Sequence, residues 1–141
     1  MAAQNKFNVY THDLARGAHQ WQTHTYKCML TNTAPTAANA VKADITEITP
    51  ASGYAAGGPA TTISESTSGG TETIQGTQIV ITAAAVIGPF RYVVLYNDTQ
   101  TTPAKPLVSY IDYGSALTLQ IGDSLTIQFN SATPGTIQTI A

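Results

Sequence analysis

Three histidines, His12, His19 and His24, crowd one short stretch of the chain, and imidazole nitrogen is a common zinc ligand. Their spacing does not suit a shared ion. On one helix His12 and His19 would stand roughly 10 Å apart along the axis. A zinc ion holds nitrogen at about 2 Å, and helical ligands recur at i, i+4. His19 and His24 would turn to different helix faces. No Cys-x-x-Cys or His-Glu-x-x-His pattern accompanies them. The expectation is no metal site, with the histidines on a polar face or in a contact surface.

Asp98 and Asp112 flank a candidate hairpin, and paired carboxylates do acid/base work, including glycoside hydrolysis. If residues 90–97 and 107–113 pair antiparallel, Asp112 lies opposite about residue 92. Asp98 is then some six residues away, roughly 20 Å at the rise of a strand. That is too far for shared chemistry, so both are expected to end strands and accept turn N–H groups. Ser124 follows Gly-Asp and lacks the Gly-x-Ser-x-Gly of a nucleophile elbow. The run Gly53-Tyr-Ala-Ala-Gly-Gly58 lacks the Gly-Lys-[Ser/Thr] that makes a phosphate loop. Cys28 alternates with Tyr26 and Leu30, the pattern of a core thiol, and as the single cysteine it has no disulfide partner in the chain. Asn97-Asp-Thr99 spells a glycosylation acceptor, but residues 1–6 lack the pattern of a secretion signal. Folding in a reducing cytosol is the expectation. No catalytic residue and no cofactor emerges, so the chain reads as a non-enzyme.

The elements that would carry these residues are mostly strands. Residues 124–130 alternate strictly, with Leu125, Ile127 and Phe129 on one face and Thr126 and Gln128 on the other. Residues 26–31, 78–82 and 136–140 alternate similarly, and residues 61–66 do so more weakly. In residues 90–96 both faces are apolar, with Tyr92, Val94 and Tyr96 on one and Val93 and Leu95 on the other. That is the mark of a central strand, and residues 107–113 would pair with it. The prolines fall between candidate strands or, at Pro89 and Pro106, just before one begins. Helix is scarce. Thr11 could cap a helix over residues 12–20, carrying Leu14, Ala18 and Trp21, with Gly17 weakening its middle by roughly 1 kcal/mol. Residues 43–48 could add one further turn. The whole predicts a single all-β domain over residues 1–141, a β-sandwich of jelly-roll type, with residues 1–24 as an N-terminal arm or short helix.

The 141 residues include only 10% charged side chains, against 43% apolar, where an average domain carries about 25% charged. Threonine (23) and alanine (20) take the place of the missing charge. A net charge of −2 with scattered basic residues cannot neutralise a phosphate backbone, so nucleic acid is not an expected partner. No apolar stretch is long enough for a membrane helix. A charge-poor, threonine-rich exterior is cheap to desolvate, and few monomers leave their surface so unprotected. Association is therefore expected. Tyr92, Tyr96 and Phe129 are expected in the core. Phe7, Val9, Tyr10 and Trp21 precede the regular strands and either pack back or form an interface with a neighbour.

The sequence also resembles a family of small tailed-phage virion proteins. The resemblance runs through Phe7-Asn-Val-Tyr10, Lys27-Cys-Met-Leu-Thr-Asn-Thr-Ala-Pro35, Ala43-Asp-Ile-Thr-Glu-Ile48 and the Gly53–Gly58 run. It continues through Gly88-Pro-Phe-Arg-Tyr-Val-Val-Leu-Tyr-Asn-Asp-Thr99, Pro106-Leu-Val-Ser-Tyr-Ile-Asp-Tyr-Gly114 and Gly122-Asp-Ser-Leu-Thr-Ile-Gln-Phe129. It covers most of the chain, in order, and brings no catalytic motif. In size and class the chain is similar to the jelly-roll cement protein of a short-tailed Bordetella phage. The resemblance implies a capsid decoration protein on the exterior of the virion, made in the host cytoplasm. Its partners would be the major capsid protein and itself, as a dimer or trimer. The rival expectation is a tail or fibre component whose exposed tyrosines stack on host-surface glycans.

Overall fold

The computed structural model describes residues 4–131 and 134–140; residues 1–3, at the start of the expected arm, lie outside them. Ten strands and one short helix follow in order: β1 Gln4–Lys6, α1 Asn8–Ala15, β2 Tyr26–Thr31, β3 Ala60–Thr61, β4 Ile63–Ser68, β5 Thr71–Gly76, β6 Ile79–Thr82, β7 Ile87–Asn97, β8 Leu107–Leu119, β9 Ser124–Ile127 and β10 Gly135–Ile140. Single 3₁₀ turns occur at Lys42–Asp44 and Phe129–Ser131. The strands form three antiparallel sheets, ordered β1-β8-β7-β2-β3, β10-β5-β4 and β6-β9. The protein is all-β, and its sheets pack on one another. Their division into five, three and two strands does not establish the jelly roll.

The principal core lies between the inner faces of all three sheets. Tyr26, Cys28 and Leu30 of β2 enter it with Val93 and Leu95 of β7, meeting Ile74 of β5, Ile79 and Ile81 of β6, Ile127 of β9 and Ile137 of β10. A second, smaller cluster covers the opposite face of the five-stranded sheet: Phe7, Met29, Val94, Tyr96 and Leu107. Strand β7 therefore sits between β8 and β2 with apolar packing on both faces, which is why its sequence is apolar on both sides. Its register sets Tyr92 opposite Asp112. Pro89 falls inside β7 rather than before it, in a stretch where the ladder to β8 shifts register between Ile87 and Phe90. A missing N–H is tolerated at such an irregularity.

The helix differs from its expected bounds. It begins at Asn8, after Phe7, and closes at Ala15 with Arg16 as its C-cap. Gly17 then adopts φ +78°. Its N–H donates to the Leu14 carbonyl at 3.2 Å and the Ala18 N–H donates to that of Asp13 at 2.9 Å. These two bonds make a Schellman stop. Gly17 ends the helix instead of weakening its middle, so His12 and His19 do not share one. Thr11 is no cap; its hydroxyl accepts a bond from Lys6 Nζ. The turn expected over residues 43–48 is the shorter 3₁₀ turn at Lys42–Asp44.

Three strands carry almost no apolar signal, β4 among them with Ile63 alone. In β5 only Ile74 is apolar, and β1 has no apolar residue at all. Strand β8 also runs six residues past Tyr113, through Gly114 at φ +101°.

Candidate interaction surface

The N-terminal segment packs back. Phe7, Tyr10 and Trp21 are buried in this chain's own interior, Phe7 in the second cluster and the other two in the principal core. Trp21 stacks on Tyr26, with ring centroids 4.1 Å apart and planes 12° from parallel. Val9 is half-buried against the second cluster. Of the two alternatives the sequence left open for these four residues, Phe7, Tyr10 and Trp21 take the first, packing back into the core.

Two of the histidines converge on one amide. Asn97, fully buried at the end of β7, lies with its Nδ2 2.8 Å from His24 Nδ1 and 3.4 Å from His19 Nδ1, and donates to the Ala18 carbonyl at 3.2 Å. Its Oδ1 accepts the N–H groups of Thr99 and Gln100. The residue that spells a glycosylation acceptor is a buried clamp holding residues 18–24 onto the central strand. His12 lies apart, 3.1 Å from an Arg16 guanidinium nitrogen. Burial is the main cause, with His24 adding to it, that lowers the His19 pKa to about 4. Among the described residues no group of three His, Cys, Asp or Glu side chains could hold a metal ion.

The carboxylates are committed elsewhere. Asp98 takes Lys27 at 3.0 Å and Lys105 at 2.8 Å. Asp112 takes the Arg91 guanidinium on both oxygens, at 2.8 and 3.0 Å, and accepts the Gly114 N–H. Neither ends its strand as expected in full: Asp98 follows β7 but bonds lysines rather than a turn N–H, and Asp112 lies inside β8. Burial pushes the Cys28 thiol up to about 12, so it is unreactive packing. Glu47 Oε1 accepts the Tyr54 hydroxyl at 2.7 Å and the Gly57 N–H at 2.6 Å, and the Tyr54 hydroxyl in turn accepts the Leu30 N–H. This bolts the glycine loop beneath β2.

Two surface depressions remain. One, of about 490 Å³, is lined by residues 19–23 and Glu65; the other, of about 430 Å³, by Ala51, Gly53, Tyr54, Ala55, Gly58 and Pro59.

A different region stands out for what it exposes. The β6–β7 turn, residues 83–86, and the β8–β9 turn, residues 120–123, are bonded to each other: Ala83 N–H to the Asp123 carbonyl and Gly122 N–H to the Ala83 carbonyl, both 2.8 Å. From these joined turns Val86 (51% exposed) and Ile121 (72%) project into solvent, and Val80 (54%) stands on the outer face of β6. Asp123 is the one ionisable side chain in the two turns, and its carboxylate accepts the Gln120 N–H. The sequence reading missed this apolar end, because each of its residues extends an otherwise ordinary strand and only the fold joins the two turns. No protein-family model, curated protein or solved structure matches the chain.

Proposed function

We propose that this protein is a capsid decoration, or cement, protein of a tailed phage, which self-associates as a dimer or trimer and bridges neighbouring major capsid subunits from outside the shell. The observation that carries the reading is the apolar end formed by Val80, Val86 and Ile121, on an exterior with few charges, where Lys27, Lys42, Arg91 and Lys105 are paired with carboxylates of the same chain. Such a surface loses little on leaving water and gains on being covered. The resemblance to small phage virion proteins suggests the partner, and the jelly-roll relationship belongs to the same proposal.

The mechanism is burial across a boundary. A standard interface covers roughly 800 Å² per partner; two smaller contacts on adjacent subunits reinforce each other through effective concentration. A ligand that binds only the assembled shell stabilises it by mass action. In the test, Val86→Glu/Ile121→Glu protein is expected to fold normally but to be missing from purified particles. Particles stripped of the protein are expected to burst sooner on heating or osmotic shock. An unchanged capsid lifetime after stripping overturns the reading. A count of only a few copies per particle, against hundreds, assigns the chain to the tail or a fibre instead.

A further inference from the structure

The free sheet edges of this fold are defended unequally. Strand β1 has three residues, β3 two, and β6 and β9 four each. Strand β10 is bulged between Thr136 and Gln138, and its Thr136 carbonyl accepts bonds from the Gln4 and Asn130 amides. The outer half of β8 bends at Gly114, and its ladder to β7 shifts register. Short strands, bulges and covered carbonyls are the usual devices that keep an edge from recruiting another chain. Strand β4 has none of them. It keeps unbroken register with β5 over six residues, contains no Pro, Lys or Arg, and exposes five of its six residues. Among the described residues β5 is its one hydrogen-bonded strand partner, and residues 19–23 line a depression with its Glu65.

The backbone of β4 is also set for pairing. Gly69 and Gly70, at φ +57° and +80°, close the β4–β5 hairpin on the pair Ser68–Thr71. Two-residue turns of this kind close on a hydrogen-bonded pair. At the other end the Thr77 N–H donates to the Thr62 carbonyl at 3.0 Å. Antiparallel alternation between these two points turns the N–H and C=O groups of Ser64, Ser66 and Ser68 toward β5. Those of Ile63, Glu65 and Thr67 turn away from it, to the open edge.

We propose that β4 pairs antiparallel with β4 of a second copy across a twofold axis, joining two three-stranded sheets into one of six strands. Such a contact is self-complementary, since the same outward groups meet on both sides of the axis. The register follows from charge and space. With Glu65 on the axis, two carboxylates would stand directly opposite, which destabilises a strand pair. A shift toward the start of β4 would run the second copy into β2, which already pairs with Thr61. The shift the other way sets Glu65 against Thr67 of the second copy and puts Ser66 on the axis, opposite itself in a non-hydrogen-bonded pair. The ribbon buries less than the roughly 800 Å² per partner of a standard interface, so the dimer is weak when free and is best trapped.

Single-cysteine variants under mild oxidation test this. Native Cys28 is fully buried and does not compete. Ser66→Cys is expected to form a disulfide-linked dimer about tenfold faster than Ser64→Cys or the off-edge Thr118→Cys, because only the first sits opposite itself. A mixture of Ser64→Cys and Ser68→Cys chains is expected to link as a heterodimer. Adding Thr67→Pro, which removes an outward N–H and the Thr67 hydroxyl's bond to Glu72 but no backbone bond to β5, is expected to return Ser66→Cys to the control rate with an unchanged circular dichroism spectrum, while Thr67→Val, which loses the hydroxyl alone, keeps the fast rate. Equal rates at positions 64, 66 and 118 overturn the pairing. So does fast linkage that survives the proline. No phage particle enters the measurement, so its failure leaves the capsid reading to its own test.

Discussion

His19 carries the clearest pH dependence in the molecule. Its ring lies between Tyr10 and Trp21, 5.1 and 6.1 Å between centroids, with Nδ1 3.4 Å from the Tyr26 hydroxyl. Burial first, and the neighbouring His24 second, lower its pKa to about 4 from an ordinary 6.5. Between those values the unfolded chain binds a proton that the folded chain refuses. Its contribution to stability is therefore complete above pH 6.5 and is lost as pH falls toward 4, on the order of 3 kcal/mol across the window. Asp13, whose carboxyl burial raises, works in the opposite direction. Urea midpoints at pH 7.5, 5.5 and 4.5 should fall more steeply for the native chain than for His19→Phe; parallel slopes would exclude this account. That His12 and His19 stand apart follows from the helix stop at Gly17 between them. The meeting of His19 and His24 at Asn97 was not legible in the sequence, because the amide lies more than seventy residues further along the chain.

Among the elements, the loop from Gly53 to Gly58 shows how turn chemistry and packing combine. The Cys28 N–H donates to the Pro59 carbonyl at 3.0 Å, and the Tyr96 hydroxyl to that of Gly57 at 2.7 Å. Gly58 sits at φ +78°, where a Cβ would collide with the Cys28 carbonyl oxygen, a backbone atom that cannot give way. Gly58→Ala is expected to cost about 3 kcal/mol or more. Gly69→Ala, at φ +57° with nothing within 4 Å, carries the backbone penalty alone, about 1 kcal/mol. Thermal denaturation of the two variants should separate them clearly, and similar losses would show that the contact to β2 is unimportant. The strict alternation of β2 and β9 and the two apolar faces of β7 made those strands readable in advance. Strands β1 and β5 were not, since neighbouring strands of their own sheets rather than their own side chains supply most of what holds them. The helix end at Gly17 escaped the sequence, because the apolar spacing of Leu14, Ala18 and Trp21 runs past it.

At the scale of the whole molecule, four of the six basic side chains, Lys27, Lys42, Arg91 and Lys105, are spent in ion pairs with this chain's own carboxylates. Little field is left to steer or hold a partner. On the proposed cement role, binding to shells should accordingly change less than about threefold between 50 and 500 mM salt, measured by co-sedimentation; a steep loss would mean that charge, not apolar burial, holds the complex. The low charge that suggests this was plain from composition, while the apolar end exists only once the β6–β7 and β8–β9 turns are bonded together. The central strand has one more consequence. With β2 and β8 on its flanks and a packed cluster above and below, the amides of Val93, Val94 and Leu95 meet solvent only when the entire chain opens. Deuterium uptake at those three positions is thus a direct gauge of global unfolding, one that can be read in any assembly too large for conventional melting.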